Sequence, residues 1–338
     1  MREVFTIVLV IIGALIGAGF ASGQEIYSFF YSYGKIGLLG IIITCGLISL
    51  TIYKSFKIIY KNNIKNYDEF LKIFIKNEKV TKAINIVLNI LLLVTFYIMI
   101  AGFGAYFQQE LGMNKIAGST ILAILTGMVF FTSVKGVLKV SEFIVPILII
   151  FIVIIGGINL ATIDISTEIP NIKNGWLLSS ISYCSYNVIL LIPVLISITS
   201  QIKKENNIKY ITIIIGILMI IMSVIIYMLL AKSDVEISTL EMPVVYIIRK
   251  FFSQFNTTYA FIILSSIFTT AISIGIGFLK NISKNRKSYT QFVLFMCITS
   301  LIVSNFGFSK LVNFIYPLFG YIGIVQIIFI LLYEIVIY

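Results

Sequence analysis

Long apolar runs, cut at intervals by lysines, carboxylates, asparagines and glycine turns, organise the chain from end to end. They extend over roughly 4–30, 37–57, 83–109, 115–132, 137–160, 176–200, 209–231, 257–280, 289–305 and 309–336. A helix that crosses a hydrocarbon core needs about 20 apolar residues. The runs are apolar on every face and too long for strands, so the pattern predicts helices buried in protein or lipid. The expected fold is an all-α integral membrane protein with ten transmembrane helices. The first run begins Met1-Arg2-Glu3 and passes through Gly13, Gly17 and Gly19 to Phe30. It is read as a retained span rather than a cleaved leader.

Two connections carry a pattern of their own. Over 66–80, Tyr67, Phe70, Leu71, Phe74 and Ile75 recur at the helical period with lysines between them. That predicts a short amphipathic helix on the inner membrane surface. Over 233–255 stand Asp234, Glu236 and Glu241, then Met242-Pro243-Val244-Val245-Tyr246. This segment is too polar to span and apolar enough to pack. It reads as a lid on the outer face or as a plain packed connection.

Composition agrees with the solvent that the pattern implies. Of 338 residues, 59% are hydrophobic and 12% charged, about half the charged share of an ordinary soluble domain. The net charge of +11 resolves into topology. With the N-terminus inside, 18 of the 25 lysines and arginines fall on the inner side, with eight lysines between Lys54 and Lys82. Ten spans then leave both termini in the cytoplasm of a multi-pass cell-membrane protein. Nucleic acid is not an expected partner; the lipid bilayer is. Nothing in the sequence sets the oligomeric state.

Enzyme chemistry finds little support. The chain has no histidine, which removes the usual general base and the commonest metal ligand. Cys45, Cys184 and Cys297 each sit within an apolar run and form no ligand spacing. No acidic pair stands within a span, and the phosphate-binding loop GxxxxGK[ST] is absent. The reading is not an enzyme, without a cofactor beyond a candidate sodium ion.

The informative features are interruptions. Span one carries Gly13-Ala-Leu-Ile-Gly17-Ala-Gly19-Phe-Ala-Ser22-Gly23-Gln24-Glu25. Each glycine weakens a helix by about 1 kcal/mol against alanine. Span six carries Ser182-Tyr-Cys-Ser185-Tyr-Asn187, followed by Pro193. Irregular backbone at membrane depth persists only beside protein or a cavity, and secondary transporters use broken helices at matching positions of two halves. Spans one and six open two five-span halves, about 1–160 and 176–338, within one transmembrane domain. Because five is odd, the second half is inverted. The alternative is that the small residues only let helices pack closely.

Gly17-Ala18-Gly19-Phe20-Ala21-Ser22-Gly23-Gln24-Glu25-Ile26, with Phe29-Phe30 and Gly34 after it, resembles the YkvI-like bacterial membrane proteins. Met99-Ile-Ala101-Gly102-Phe-Gly104-Ala105 and Tyr183-Cys184-Ser185-Tyr186-Asn187 are similar to that family too. The resemblance covers nearly the whole chain. It implies the LeuT-type fold of the amino acid–polyamine–organocation transporters, with a 5+5 inverted repeat and broken helices one and six.

Three groups of residues are candidates for function. At the breaks, Ala18, Gly19, Ala21, Ser22 and Gly23 offer backbone amides to a carboxylate, faced by Ser182, Ser185 and Asn187. Tyr97 would add a hydroxyl or pack in the core, and Gly102 a flat wall. A small zwitterion such as an amino acid fits that chemistry. In span eight, Ser266, Thr269 and Thr270 lie three and four apart on one helix face. With carbonyls near Gly13 and Ile16 they would cage a sodium ion, or else bond only their own helix. LeuT-type symporters of the neurotransmitter class place asparagines where Ala14 and Phe20 stand, so a second sodium is not expected. Gln24 and Glu25 form the third group. Glu25, expected near the outer boundary, would carry a coupling proton or an outer-gate ion pair, or stay solvated.

The expected function is secondary active transport, symporter-like, of a small organic solute. An amino acid is the leading class, driven by sodium or protons. The alternative is a membrane sensor or scaffold that keeps the transporter fold without transporting.

Overall fold

The computed structural model describes residues 2–131, 135–160, 173–233, 235–283 and 285–336. Among these residues every regular element is a helix, with no β-strand. Span one is divided into α1 (Arg2–Leu15), α2 (Ala18–Ala21) and α3 (Gln24–Ile26), followed by a wide helical turn over Tyr27–Tyr31. Then come α4 (Ile36–Asn62), α5 (Tyr67–Phe74), α6 (Glu78–Leu111), α7 (Lys115–Phe131) and α8 (Lys135–Leu160). The second half holds α9 (Trp176–Thr199), α10 (Asn207–Leu230), α11 (Pro243–Phe251), α12 (Asn256–Ile282), α13 (Arg286–Ser304) and α14 (Phe308–Val336).

Seven of the described helices, α4, α6, α9, α10, α12, α13 and α14, are long and apolar enough to cross a membrane. Shorter apolar helices run over Glu3–Leu15, Lys115–Phe131 and Val145–Asn159. The chain is therefore a multi-pass membrane protein. The large apolar side chains on outer helix faces, such as Phe314, Phe261 and Ile298, are what a lipid solvent accepts.

Helix ends follow local chemistry. Asn66 opens α5 by accepting the Glu69 backbone N–H at 2.9 Å, and Asn285 opens α13 with a reciprocal bond to Ser288. Gly112 ends α6 in the left-handed conformation. The Tyr67, Phe70 and Leu71 face of α5 is buried: the Tyr67 hydroxyl donates to Gln326 of α14 at 3.0 Å, and Phe74 packs on Phe329 and Tyr333. The amphipathic segment is thus clamped onto the end of α14.

The second half departs from expectation in one respect. Span six is not broken: α9 runs as one helix from Trp176 to Thr199 with Pro193 inside it. Its polar side chains satisfy the helix rather than interrupt it. The Ser185 hydroxyl donates to the Ile181 carbonyl at 2.7 Å, and the Asn187 amide to the Tyr183 carbonyl at 2.9 Å. Both bonds run to the carbonyl four residues back, a local partner that mid-helix polar residues adopt.

The helix α9 sits between α4 and α14. Thr44 donates to the Ser180 carbonyl at 2.9 Å across the first seam. Across the second, Gly320 and Gly323 let α14 approach so closely that β-carbons there would stand 2.5 Å and 2.6 Å from the Ser182 and Ser185 carbonyl oxygens. The division of span one lies beside this triple stack, and it positions the site.

Candidate functional site

Two irregular points divide span one. Ile16 and Gly17 separate α1 from α2, and Ser22 and Gly23 separate α2 from α3. Gly23 has φ +82°, a conformation that favours glycine, and its α-carbon has Val244 of α11 immediately above it. Ser22 braces the turn: its hydroxyl donates to the Gly19 carbonyl at 3.1 Å, and its carbonyl accepts the Val244 backbone N–H at 2.9 Å. The Ala21 carbonyl accepts the Tyr259 hydroxyl of α12. Backbone groups freed by the unwinding therefore find partners on α11 and α12, as an interrupted helix away from water requires.

The turn at Gly23 sends Glu25 back toward α2. Its side chain covers Gly19, where a β-carbon would lie 2.8 Å from Glu25 Cγ and 2.9 Å from Cδ. The carboxylate accepts the Tyr183 hydroxyl at 3.1 Å and also interacts with the Tyr186 hydroxyl and the Phe20 backbone N–H. Glu25 is only 3% exposed, so its carboxylate is enclosed by protein rather than solvated. Among the described residues no lysine or arginine pairs with it. Rings surround it. Phe29 stacks on Tyr186 at 5.7 Å, and Tyr316 of α14 stacks on the same tyrosine at 4.7 Å. Tyr183 meets Phe29 and Tyr186 edge-on.

Ala18, Gly19, Ala21, Ser22, Gly23, Gln24 and Glu25 form one buried stretch that α9 meets through Tyr183. Ser182 and Ser185, also buried on α9, instead lie against Gly320 and Gly323 of α14, and Asn187 bonds its own helix. Ser182 donates to the Pro317 carbonyl of α14 at 3.2 Å. The Gln24 amide reaches Asn313 at 3.4 Å, while its buried Oε1 has no partner among the described residues. Tyr97 and Gly102 stand elsewhere. The Tyr97 hydroxyl bonds Thr299 of α13 at 2.5 Å, and Gly102 faces the Phe308 ring at the start of α14.

Helix α12 meets the first break through the methyl group of Thr270. A β-carbon at Gly17 would stand 3.8 Å from Thr270 Cγ2. Ser266 and Thr269 are buried, and the Thr269 hydroxyl donates to the Ser265 and Ser266 carbonyls at 3.0 Å and 3.1 Å. Ile16 is buried next to that break, whereas Gly13 faces Val145 of α8.

The segment 237–251 closes this end of the bundle. Gln109 of α6 and the Met242 backbone exchange two hydrogen bonds, at 2.8 Å and 3.0 Å. Glu241 accepts the Ser309 backbone N–H at 2.6 Å and so caps α14. Arg249, 42% exposed, pairs with Glu110 at 3.4 Å. Asp234 in the same connection, and Lys284 of the inner set, lie outside the described residues. Sequence reasoning singled out neither Gln109 nor the rings of Tyr183, Tyr186 and Tyr316 as site residues. The i, i+3 spacing of Tyr183 and Tyr186 carried a signal for the rings, since it places both on one helix face.

A divided first helix, a hydroxyl-bearing helix against its break and a docked cover define a multi-pass membrane protein of the LeuT-type transporter fold. The solved structure of Mhp1, a nucleobase-cation-symport-1 family transporter in a closed conformation with bromovinylhydantoin bound, aligns with a TM-score of 0.62 at 10% identity. That alignment covers 94% of this chain and 74% of the other. A sodium-coupled sialic acid symporter in a substrate-bound outward-open state gives 0.55 at 13% identity, over 94% and 75%. Within this fold the chain belongs to the YkvI-like family of membrane proteins. It is 31% identical to the membrane protein YkvI of Bacillus subtilis (strain 168) over 329 residues, 93% of this chain and 91% of the relative. It is also 25% identical to YyaD of the same organism, over 97% and 96% of the two chains. The chain matches no family model.

Proposed function

We propose that this protein is a secondary active transporter, symporter-like, for a small organic solute. An amino acid is the leading class of cargo, and sodium or protons drive it. The observation that carries the reading is the double interruption of span one, buried against α9 and α12 in a chain whose fold is shared with symporters. Such a break keeps polar backbone at hand in an apolar bundle, a requirement of carrying polar cargo and not of packing alone. Solute is held at Ala18 to Gly23, with Ser182, Ser185 and Asn187 of α9 as further polar groups. A sodium ion fits among Ser266, Thr269 and Thr270 and the carbonyls near Gly13 and Ile16. Gln24 and Glu25 serve as coupling or gating groups.

In this reading all ten apolar helices span the cell membrane, as two inverted five-helix halves with both termini cytoplasmic. The segment 237–251 is then the outer cover. Transport is a physical displacement, so no enzymatic step is part of it.

Purified protein in liposomes tests the reading directly. Uptake of labelled amino acids is measured under an imposed sodium gradient at fixed pH, then under a pH gradient without sodium. Accumulation under one gradient and not the other is expected, and it names the coupling ion. A folded, correctly inserted protein that accumulates nothing under either gradient overturns transport in favour of a sensor or scaffold.

A further inference from the structure

The carboxylate of Glu25 sits where the interrupted helix would otherwise offer its amides to an anion. The side chain covers Gly19 and bonds the Tyr183 hydroxyl. A negative charge enclosed in a bundle needs a positive partner or a proton, because burying it alone is costly. Among the described residues no cationic side chain pairs with it. The walls of the enclosure are aromatic: Tyr186 is stacked between Phe29 and Tyr316, and Tyr183 closes one side. Ring faces attract organic cations, and a carboxylate beside them adds a direct ion pair. Neither feature serves an anionic group.

We propose that the site recognises an organic ammonium, with Glu25 as its ion-pair partner and the rings of Phe29, Tyr183, Tyr186 and Tyr316 as its cage. The substrate class is therefore amines, including amino acids entered ammonium-first, and a substrate carboxylate is not required. The rings are closed on one another, so binding parts the Phe29–Tyr186–Tyr316 stack and places the cation between ring and carboxylate. The proposal rests on the transporter reading for its physiological use, while the binding site stands by itself.

Matched probes separate ammonium from carboxylate recognition. The purified full chain is unfolded thermally in detergent with millimolar leucine, its decarboxylated counterpart isoamylamine, or its deaminated counterpart isocaproate. Alanine, ethylamine and propionate form a smaller set. A ligand that binds the folded state raises its melting temperature by mass action. Both amine-bearing members of at least one set are expected to raise it, and the acids to leave it unchanged. Glu25→Gln is expected to weaken amine binding by at least about tenfold. Tyr186→Phe retains it, and Tyr186→Leu loses it. These last two variants decide the matter if Glu25→Gln does not fold.

Stabilisation by the acids equal to that by the amines overturns the proposal. So does amine binding indifferent to Glu25→Gln and Tyr186→Leu, or no stabilisation by any amine. The transporter reading fails separately. Amines that bind but cross no liposome membrane under sodium or pH gradients remove transport and leave the ammonium site. Uptake of acids without amines does the reverse.

Discussion

The side chain of Glu25 lies over the α-carbon of Gly19, with its Cγ 2.8 Å from where a β-carbon of residue 19 would stand. Gly23, in its left-handed conformation, turns the chain so that this contact forms six residues along from Gly19. The two glycines therefore act on one carboxylate, the first by yielding space and the second by aiming it.

Gly19→Ala should displace Glu25 from its tyrosine partners while leaving the helix bundle intact. Forcing one methyl into a filled site typically costs about 1–3 kcal/mol. The expected outcome is a fall in solute uptake or binding of about tenfold or more. The melting temperature should drop no further than that cost allows. Binding that is unchanged in a folded Gly19→Ala protein would mean that Glu25 does not act through this contact.

The α9–α14 seam should be the less tolerant of two glycine sites. β-Carbons at Gly320 and Gly323 would press on the Ser182 and Ser185 carbonyls, whereas Gly46 on α4 has open space around it. Gly323→Val should destabilise the protein by about 1–3 kcal/mol. Gly46→Ala should be neutral or gain up to about 1 kcal/mol from helix propensity. Thermal unfolding of the two variants in one detergent makes the comparison, and equal melting temperatures would contradict the packing described.

Much of this architecture was legible in the sequence because a bilayer span leaves a signal about 20 residues long. The boundaries of α4, α6, α10 and α12 fall close to the apolar runs that announced them. The glycine run of span one likewise announced its interruption. Span six misled for a physical reason: Ser185 and Asn187 read equally as residues that open a helix and as residues that bond the carbonyl four back. Around Ser185 the helix is also pressed by Gly323 of α14, a contact 138 residues away in sequence that no local pattern signals. The inward turn of Glu25 was hidden likewise. It depends on the left-handed Gly23 and on Tyr183, 158 residues away, neither of which the position of Glu25 along the span reveals.

The cover over the site is held at its edge by Gln109. Its side-chain amide donates to the Met242 carbonyl at 3.0 Å and accepts the Met242 N–H at 2.8 Å, so one residue satisfies both backbone groups. Gln109→Ala removes both partners at about 1–3 kcal/mol for groups left without them. Amide hydrogen exchange over Val244–Ile248 should quicken several-fold while exchange in α9 and α10 is unchanged. Uniform acceleration along the chain would show global destabilisation instead of a loosened cover.

The hydroxyl face of α12 gives the sharpest separation between the two coupling ions. Thr270 is the residue of that face whose methyl group lies against Gly17 at the first break, while the Thr269 hydroxyl already donates to the carbonyls of its own helix. If sodium is held between α12 and the break, Thr270→Val keeps the shape and removes an oxygen. The sodium concentration for half-maximal uptake should then rise about tenfold, which is about 1.4 kcal/mol of lost ion binding. Ser266→Ala should shift it in the same direction, and the preference for one solute over another should persist in both variants. If protons drive uptake, both variants keep the wild-type pH profile and sodium has no effect on either. Uptake measured across a sodium series at two fixed pH values distinguishes these outcomes. A sodium-driven wild type whose Thr270→Val and Ser266→Ala variants show unaltered sodium dependence would place the ion elsewhere in the bundle.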